Sequence, residues 1–238
     1  MSSTRPRIVV TGGSGFIGTN LIEFYLSKDC DVLNIDKKSP MNAKHAAFWR
    51  EVDILDVEGL KEHVVSFNPS HIFHMAARTD LEEKKDLKKY HANITGVENI
   101  IAVARMCGDL KRIMFTSSMF VCYPGYDPSG YDDYAPHTVY GESKVMTEKI
   151  VKSSHLGQLE WFITRPTSIW GPWFGAPYKD FFHHVNNGSY FRIIGKTATK
   201  TYGFVHNAIY QMDTLMFAER ELVDKKTFYI GDSPGLNI

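Results

Sequence analysis

Tyr140 and Lys144 stand four residues apart, in the run Tyr140-Gly141-Glu142-Ser143-Lys144. On a helix that spacing puts both on one face, one turn from each other. A phenol, with an ordinary pKa of about 10, is a poor base at neutral pH. An ammonium beside it favours the phenolate. Such a pair can remove the proton of a hydroxyl or return it to a carbonyl oxygen. The chain has twelve tyrosines, so the spacing alone carries little weight. Its weight comes from its place in the chain, after one strand-like run and before another. The earlier run ends in Phe115-Thr116-Ser117-Ser118. A hydroxyl at that end can hydrogen-bond a reacting oxygen and fix its direction. Strand alternation sends Ser117 and Ser118 to opposite faces, so only one of them reaches a shared site.

A second constellation lies near the start. Thr11-Gly12-Gly13-Ser14-Gly15-Phe16-Ile17-Gly18 follows a strand-like run and opens a helical one. Glycine permits unusual dihedrals and lets a pyrophosphate approach the backbone. The helix N-terminus beyond it offers free N–H groups and the positive end of a dipole. Gly12, Gly15, Phe16, Ile17 and Gly18 are therefore candidate dinucleotide contacts. Asp36 ends the next strand-like run, where a carboxylate can accept hydrogen bonds from the adenosine ribose hydroxyls. The same carboxylate repels a 2′-phosphate, which favours NAD over NADP. Lys37 and Lys38 pull the other way, since they attract that phosphate.

These residues need elements to position them. The pattern predicts strands at Arg7–Val10, Asp31–Ile35, within Trp49–Ile54, and at Ser70–His74, Arg112–Thr116 and Leu159–Thr164. It predicts helices at Phe16–Ser27, Leu60–Phe67, Leu87–Met106 and Tyr140–Ser153, with Glu82–Asp86 as a solvated helix start. Strand–helix alternation implies an α/β fold, a doubly wound parallel sheet with helices on both faces. After Arg165-Pro166 the texture changes to Gly, Pro and aromatic residues, and a last strand-like run spans Thr227–Ile230. The expected division is a dinucleotide-binding domain over 1–165 and a smaller, partial substrate lobe over 166–238, with elements returning to the sheet.

Composition excludes several classes. The 238 residues suffice for one domain with a sizeable core. Formal net charge is zero, so nothing draws the chain to nucleic acid or an anionic membrane. No apolar run approaches the roughly 20 residues of a membrane span, and the first residues lack the apolar core of a signal peptide. Cys30, Cys107 and Cys122 form no CxxC pair, as expected of reduced thiols in a cytoplasmic protein. His71 and His74 point to opposite faces of a strand, and His183 and His184 point apart on a helix, so no metal is expected. Trp170, Trp173 and Tyr178 can stack on a base or pack the lobe.

Taken in order, the motifs resemble those of the NAD-dependent epimerase/dehydratase family, the extended short-chain dehydrogenases/reductases of Rossmann fold that act mainly on nucleotide sugars. The resemblance covers nearly the whole chain. It implies that Asp53 and Ile54, in Val52-Asp53-Ile54-Leu55, meet the adenine. It implies that Met75, Ala76 and Ala77, in His74-Met75-Ala76-Ala77, pass beside the cofactor, and that Asn93 orients the chain near the nicotinamide. By register it selects Ser118 over Ser117 as the active-site hydroxyl. It makes Ser118, Tyr140 and Lys144 the catalytic set, with Tyr140 as acid/base and Lys144 also holding the nicotinamide ribose. Arg165-Pro166-Thr167-Ser168 matches the entry to the substrate lobe.

The chain departs from the family in four places. Ser168 stands where a substrate-contacting Asn is usual. Lys200-Thr201-Tyr202 stands for an Arg-Asp-Phe segment, with His206-Asn207 in place of two acidic residues. Met119-Phe120 stands for the Asp-Glu pair of sugar 4,6-dehydratases, which argues against dehydration. Members usually continue for several tens of residues further, so a truncated or shortened lobe is expected, one that binds cofactor better than it turns over substrate. Ser168, Lys200 and Ser118 remain the candidate substrate contacts. The expected activity is NAD-dependent epimerisation or oxidoreduction of a nucleotide sugar in the cytoplasm, by a homodimer. The alternatives are a reductase or dehydrogenase of a steroid- or flavonoid-type carbonyl, and a non-catalytic dinucleotide sensor.

Overall fold

The computed structural model describes residues 5–175, 178–189 and 199–237. In chain order its strands are β1 (Arg7–Thr11), β2 (Asp31–Asp36), β3 (Trp49–Glu51), β4 (His71–His74), β5 (Arg112–Thr116), β6 (Glu160–Pro166), β7 (Ser168–Trp170), β8 (Thr199–Lys200), β9 (Tyr202–Phe204), β10 (Lys226–Ile230) and β11 (Leu236–Asn237). Its helices are α1 (Phe16–Ser27), α2 (Val57–Phe67), α3 (His91–Ala104), α4 (Val139–Ser153), α5 (Tyr178–Asn186), α6 (Val205–Phe217) and α7 (Arg220–Val223).

Seven strands form one sheet in the order β10-β6-β5-β4-β1-β2-β3. Every neighbouring pair runs parallel. Alternate residues feed two cores. Val9, Leu33, Ile72, Ile113 and Ile163 pack with α2, α3 and α4 on one face. Ile8, Val10, Val32, Phe73, Met114 and Phe162 pack with α1 and α6 on the other. This is the doubly wound α/β arrangement expected of the sequence. Strand order reverses at β1, between β2 and β4, and in such sheets ligands bind outside the carboxyl ends of the strands at that point. Gly12, Asp36, Met75, Ser117 and Thr167 all lie at or just beyond such ends.

Some local expectations shift. The third strand shortens to Trp49–Glu51. Helix α2 begins earlier, at Val57, because Asp56 caps it by accepting from Gly59 N. Residues 82–86 are not helical. Glu83 instead accepts from the backbone N–H groups of Lys85 and Asp86, and Asp86 from that of Lys88. These local bonds compete with helix formation, and Leu87–Tyr90 is a 3₁₀ turn leading into α3. Beyond β6 the chain forms a small outwork. There β7 pairs in parallel with β9, and β8 pairs antiparallel with β11. It also returns α6 and β10 to the main sheet.

The glycine turn is held against the sheet. Gly12 has φ +74°, and a Cβ there would sit 2.7 Å from Ala76 N. At Gly18 a Cβ would sit 2.4 Å from Gly12 O. Gly12→Ala combines left-handed strain with a backbone clash. It is expected to cost about 2–4 kcal/mol in urea unfolding. A change under about 0.5 kcal/mol would contradict the close approach.

Candidate functional site

The turn is built to take an anion. Gly15 caps α1 with its backbone only, no side chain caps the helix, and its first turn holds no acidic residue. The first N–H groups of α1 are thus left to an outside acceptor. A Cβ on Gly15 would meet nothing but Gly12 O, at 3.2 Å, so the space above the turn is open. Asp36 is half-buried beside it and accepts from Ser14 N at 3.1 Å and Lys38 N at 2.9 Å. Lys37 leans onto Asp53 at 3.2 Å. Asp53 also accepts from Leu55 N, and Ile54 packs against Gly96. A dinucleotide fits these residues: a turn built mostly of glycine, helix N–H groups that no side chain caps among the described residues, and a carboxylate at the end of β2.

Met75, Ala76 and Ala77 leave β4 directly under the turn, with Met75 N and Ala76 N both donating to Thr11 Oγ1 at 3.2 and 3.3 Å. That hydroxyl also meets Nδ1 of buried His74 at 2.9 Å. Asn93 is used entirely within the chain. It accepts from Arg78 N and donates to Arg78 O and to Ser143 Oγ. It thus ties the segment after Ala77 to α4. It orients the chain there, as the resemblance implied, and its partners Arg78 and Ser143 are what the sequence did not reveal.

Tyr140 and Lys144 occupy the first turns of α4, capped by Thr138, which accepts from Gly141 N. Both are buried, at 7% and 4% exposure. Lys144 Nζ lies 5.9 Å from the Tyr140 ring centre and donates to Thr116 O at 2.8 Å. The two serines do diverge. Ser117 Oγ turns inward to Glu148 at 2.6 Å, whereas Ser118 Oγ accepts from Phe120 N and acts to lower the Tyr140 phenol. The structure thus brings Ser118, Tyr140 and Lys144 together. Burial pushes the Tyr140 phenol up to about 12, against the lowering effect of Ser118. Burial also brings the Lys144 ammonium down to about 8, although Glu148 opposes the fall. The lowering of the phenol expected from the ammonium is not found: desolvation dominates, and the lowering influence comes from Ser118.

Around Tyr140 stand Tyr90, Phe120, Val139 and Leu87. The Phe120 ring stacks on His137 at 5.6 Å, so the residues in the dehydratase position contribute an aromatic wall and no acid. Ser168 and Lys200 sit in the outwork, Ser168 opposite Tyr202 in the β7–β9 pair and Lys200 Nζ 5.0 Å from the Tyr202 ring. Among the described residues no hydrogen bond joins either to the Tyr140 group. Nearby, a cavity of about 380 Å³ is lined by Gly171, Phe174, Lys179, Phe182, His183 and Asn186. Phe174 packs edge-on against Phe16 at 4.5 Å, and Asn20 donates to Pro172 O, which fixes this segment beside α1. Trp170 packs on Phe204 and Phe182, whereas the side chain of Tyr178 lies outside the described residues. Among the described residues no three His, Cys, Asp or Glu groups gather as metal ligands, and no helix is long and apolar enough to cross a membrane.

One buried pair escaped the sequence reading. Glu148 lies one turn past Lys144 on α4, and Arg165, quoted above only as part of the entry to the lobe, is the next-to-last residue of β6; they pair at 2.8 Å. The i, i+4, i+8 spacing of Tyr140, Lys144 and Glu148 was the available signal for the first. Nothing in the sequence marked Arg165 as its partner.

Comparison with known proteins agrees with the fold and the motifs. The profile of the NAD dependent epimerase/dehydratase family matches residues 8–231. The chain belongs to this family, whose members are enzymes of the extended short-chain dehydrogenase/reductase type and whose cofactor is NAD. Among curated relatives, the 3-beta-hydroxysteroid dehydrogenase of Mycolicibacterium neoaurum is 29% identical over 98% of this chain and 67% of its own length. The UDP-glucose 4-epimerase of Mycolicibacterium smegmatis is 28% identical over 70% of this chain and 57% of its own length. The UDP-glucose 4-epimerase of Thermus thermophilus, solved with NAD, superposes with a TM-score of 0.79 at 20% identity, covering 97% of this chain and 79% of that one. The chain spans about two thirds of the length of the first curated relatives it matches.

Burying Lys144 has a stability consequence. Its folded pKa lies below its ordinary 10.5, so between about pH 8 and 10.5 the unfolded chain holds a proton that the folded one has released. Stability from this group therefore rises with pH across that window, and the charged form opposes folding below it. Lys144→Met is expected to stabilise the protein by about 1–3 kcal/mol at pH 7, net of the lost bond to Thr116 O, and to abolish that rise. Urea unfolding at pH 7 and pH 10 reads both. A destabilised variant at pH 7 would contradict the burial penalty.

Proposed function

We propose that this protein is an NAD-dependent oxidoreductase or epimerase acting on a ring-borne secondary alcohol or its ketone, with Tyr140 as the acid/base. The convergence of Ser118, Tyr140 and Lys144 at the carboxyl end of β5 carries the reading. In it, the N–H groups of Phe16 and Ile17 and the Gly12–Gly18 backbone hold the pyrophosphate, and Asp36 holds the adenosine ribose. Asp53 and Ile54 flank the adenine, Met75–Ala77 line the cleft, and Asn93 fixes that lining. NAD held by these residues would supply the hydride acceptor for the substrate carbon, or in its reduced form the donor. Tyr140, protonated in its buried setting, donates its proton to a carbonyl oxygen in reduction and takes it back in oxidation. Ser118 hydrogen-bonds the same oxygen and directs it. Lys144 supplies the nearest buried cation, which stabilises the phenolate left behind and holds the nicotinamide ribose. The reading divides the chain at about residue 165, with 166–238 supplying the substrate side.

For the substrate, the cavity beside α1 supports a nucleotide sugar: two phenylalanine rings offer stacking, Asn186 an amide, and Lys179 a cation for phosphate. Ser168 and Lys200 are the further candidate contacts of that lobe. A second reading, a steroid-type alcohol, is favoured by the aromatic enclosure of Tyr140 by Tyr90 and Phe120. A sugar ring has few apolar faces to set against such a wall. Turnover of UDP-glucose compared with a 3β-hydroxysteroid separates the two.

Asp36→Ala is expected to weaken NAD binding about tenfold and to narrow its preference over NADP, as read by calorimetric titration. Tighter NADP than NAD binding by the natural chain would overturn the role of Asp36. Tyr140→Phe removes one oxygen and leaves packing intact. It should cut turnover by about 10²–10⁴ with NAD affinity nearly unchanged. Near-normal turnover in that variant would remove Tyr140 from the chemistry.

A further inference from the structure

Glu148 lies at a junction that the chemistry above does not use. It is 1% exposed, and its partner Arg165 is 0% exposed. Arg165 reaches it through two bonds of 2.8 Å, Nε to Oε1 and Nη2 to Oε2. Glu148 also accepts from Ser117 Oγ at 2.6 Å and from Tyr134 OH at 3.0 Å, and Lys152 Nζ lies 3.4 Å away. Arg165 further donates to Tyr131 O at 2.6 Å and to Tyr229 OH at 3.2 Å. Five segments meet here: the end of β5, the 131–134 loop, α4, β6 and β10. Two of them carry the reacting groups, since Ser117 adjoins Ser118 and Glu148 stands one turn below Lys144.

We propose that Glu148 is a positioning residue of the reaction, holding Lys144 as a cation and the Ser117–Ser118 strand end in place against Tyr140. The proposal rests on the catalytic reading of Ser118, Tyr140 and Lys144 given above. Its electrostatic part follows from burial. Inside a low-dielectric site the Lys144 ammonium is opposed by desolvation, and Glu148 is the carboxylate that offsets it. Burial alone would raise the Glu148 carboxyl, but the Arg165 bonds outweigh it and keep it below its ordinary range. The counter-charge is therefore present at every pH at which Lys144 titrates. Its geometric part is the short bond to Ser117. That bond takes the inward hydroxyl, so the next residue along the strand end, Ser118, presents its hydroxyl to the phenol.

The test reads Lys144 directly. The natural chain and Glu148→Gln are prepared with ¹⁵N-labelled lysine, and the Lys144 Nζ signal, assigned by its loss in Lys144→Met, is titrated by NMR. The expected result is a fall of about one unit from the natural value near 8. Glu148→Asp, which keeps the charge, should restore most of it. Should Glu148→Gln leave Arg165 too costly to bury, the pair Glu148→Gln with Arg165→Met removes both charges and preserves shape, and a smaller fall is expected there, because loss of the Arg165 cation works the other way. An unshifted Lys144 in folded Glu148→Gln, or a raised one in the double variant, overturns the proposal. Ser117→Ala leaves the ion pair intact and should lower kcat about tenfold with NAD affinity and the Lys144 titration unchanged. Unchanged kcat overturns the geometric part. If the natural chain turns over neither UDP-glucose nor a 3β-hydroxysteroid, the catalytic reading fails. The Lys144 titration still decides whether Glu148 holds that cation.

Discussion

The Glu148–Arg165 pair is the constraint on which the site depends. Neither charge reaches solvent, and taking two ions out of water costs several kcal/mol each unless their hydrogen bonds are supplied in full. The chain supplies them from Ser117, Tyr134, Tyr131, Tyr229 and Lys152. That requirement fixes where four other segments lie relative to α4. An aliphatic pair could fill the same volume and give equal or greater stability, but it would supply none of the hydrogen bonds that now join those segments to α4.

Burial also sets the character of the residues above the pair. Lys144 and Tyr140 move in opposite directions for the same cause, since desolvation disfavours the charged form of each. The protein alone thus holds the phenol protonated and the ammonium near its point of release. Stability is forgone at Lys144, since its charged form is disfavoured by burial. The glycine turn shows the same logic in the backbone. Gly12 adopts a left-handed conformation against Ala76, and α1 starts with no side-chain cap, two features that leave room for an outside anion.

Much of this was legible in the sequence because it is local. Alternation and spacing gave β1, β2, β4, β5 and β6 to within two residues at either end, together with the glycine turn, and the order of motifs gave the family. The pairing of Ser117 away from Ser118 followed from strand alternation alone. What was not legible depends on contacts between distant segments. Asn93 reads as a residue that orients the chain, but its partners Arg78 and Ser143 could not be named until α3 packs against α4. Arg165 is one arginine before a proline until β6 lies beside α4. Residues 82–86 read as helix because their composition suits one, whereas Glu83 and Asp86 bond the nearby backbone instead. The phenol was expected to be lowered by its lysine neighbour, since the degree of burial cannot be read from spacing.

The central claim is that hydride leaves a substrate carbon in this cleft. The direct measurement is isotopic. The protein is incubated with NAD and with UDP-glucose deuterated at C4, or with a 3β-hydroxysteroid deuterated at C3, and both substrate and cofactor are followed by mass spectrometry with absorbance at 340 nm. The account predicts, for one of the two, deuterium in the reduced cofactor or deuterium returned to the same carbon with inverted configuration. Tight NAD binding with no reduced cofactor and no inversion from either alcohol would contradict it, and would mark the fold as a dinucleotide-binding protein without turnover.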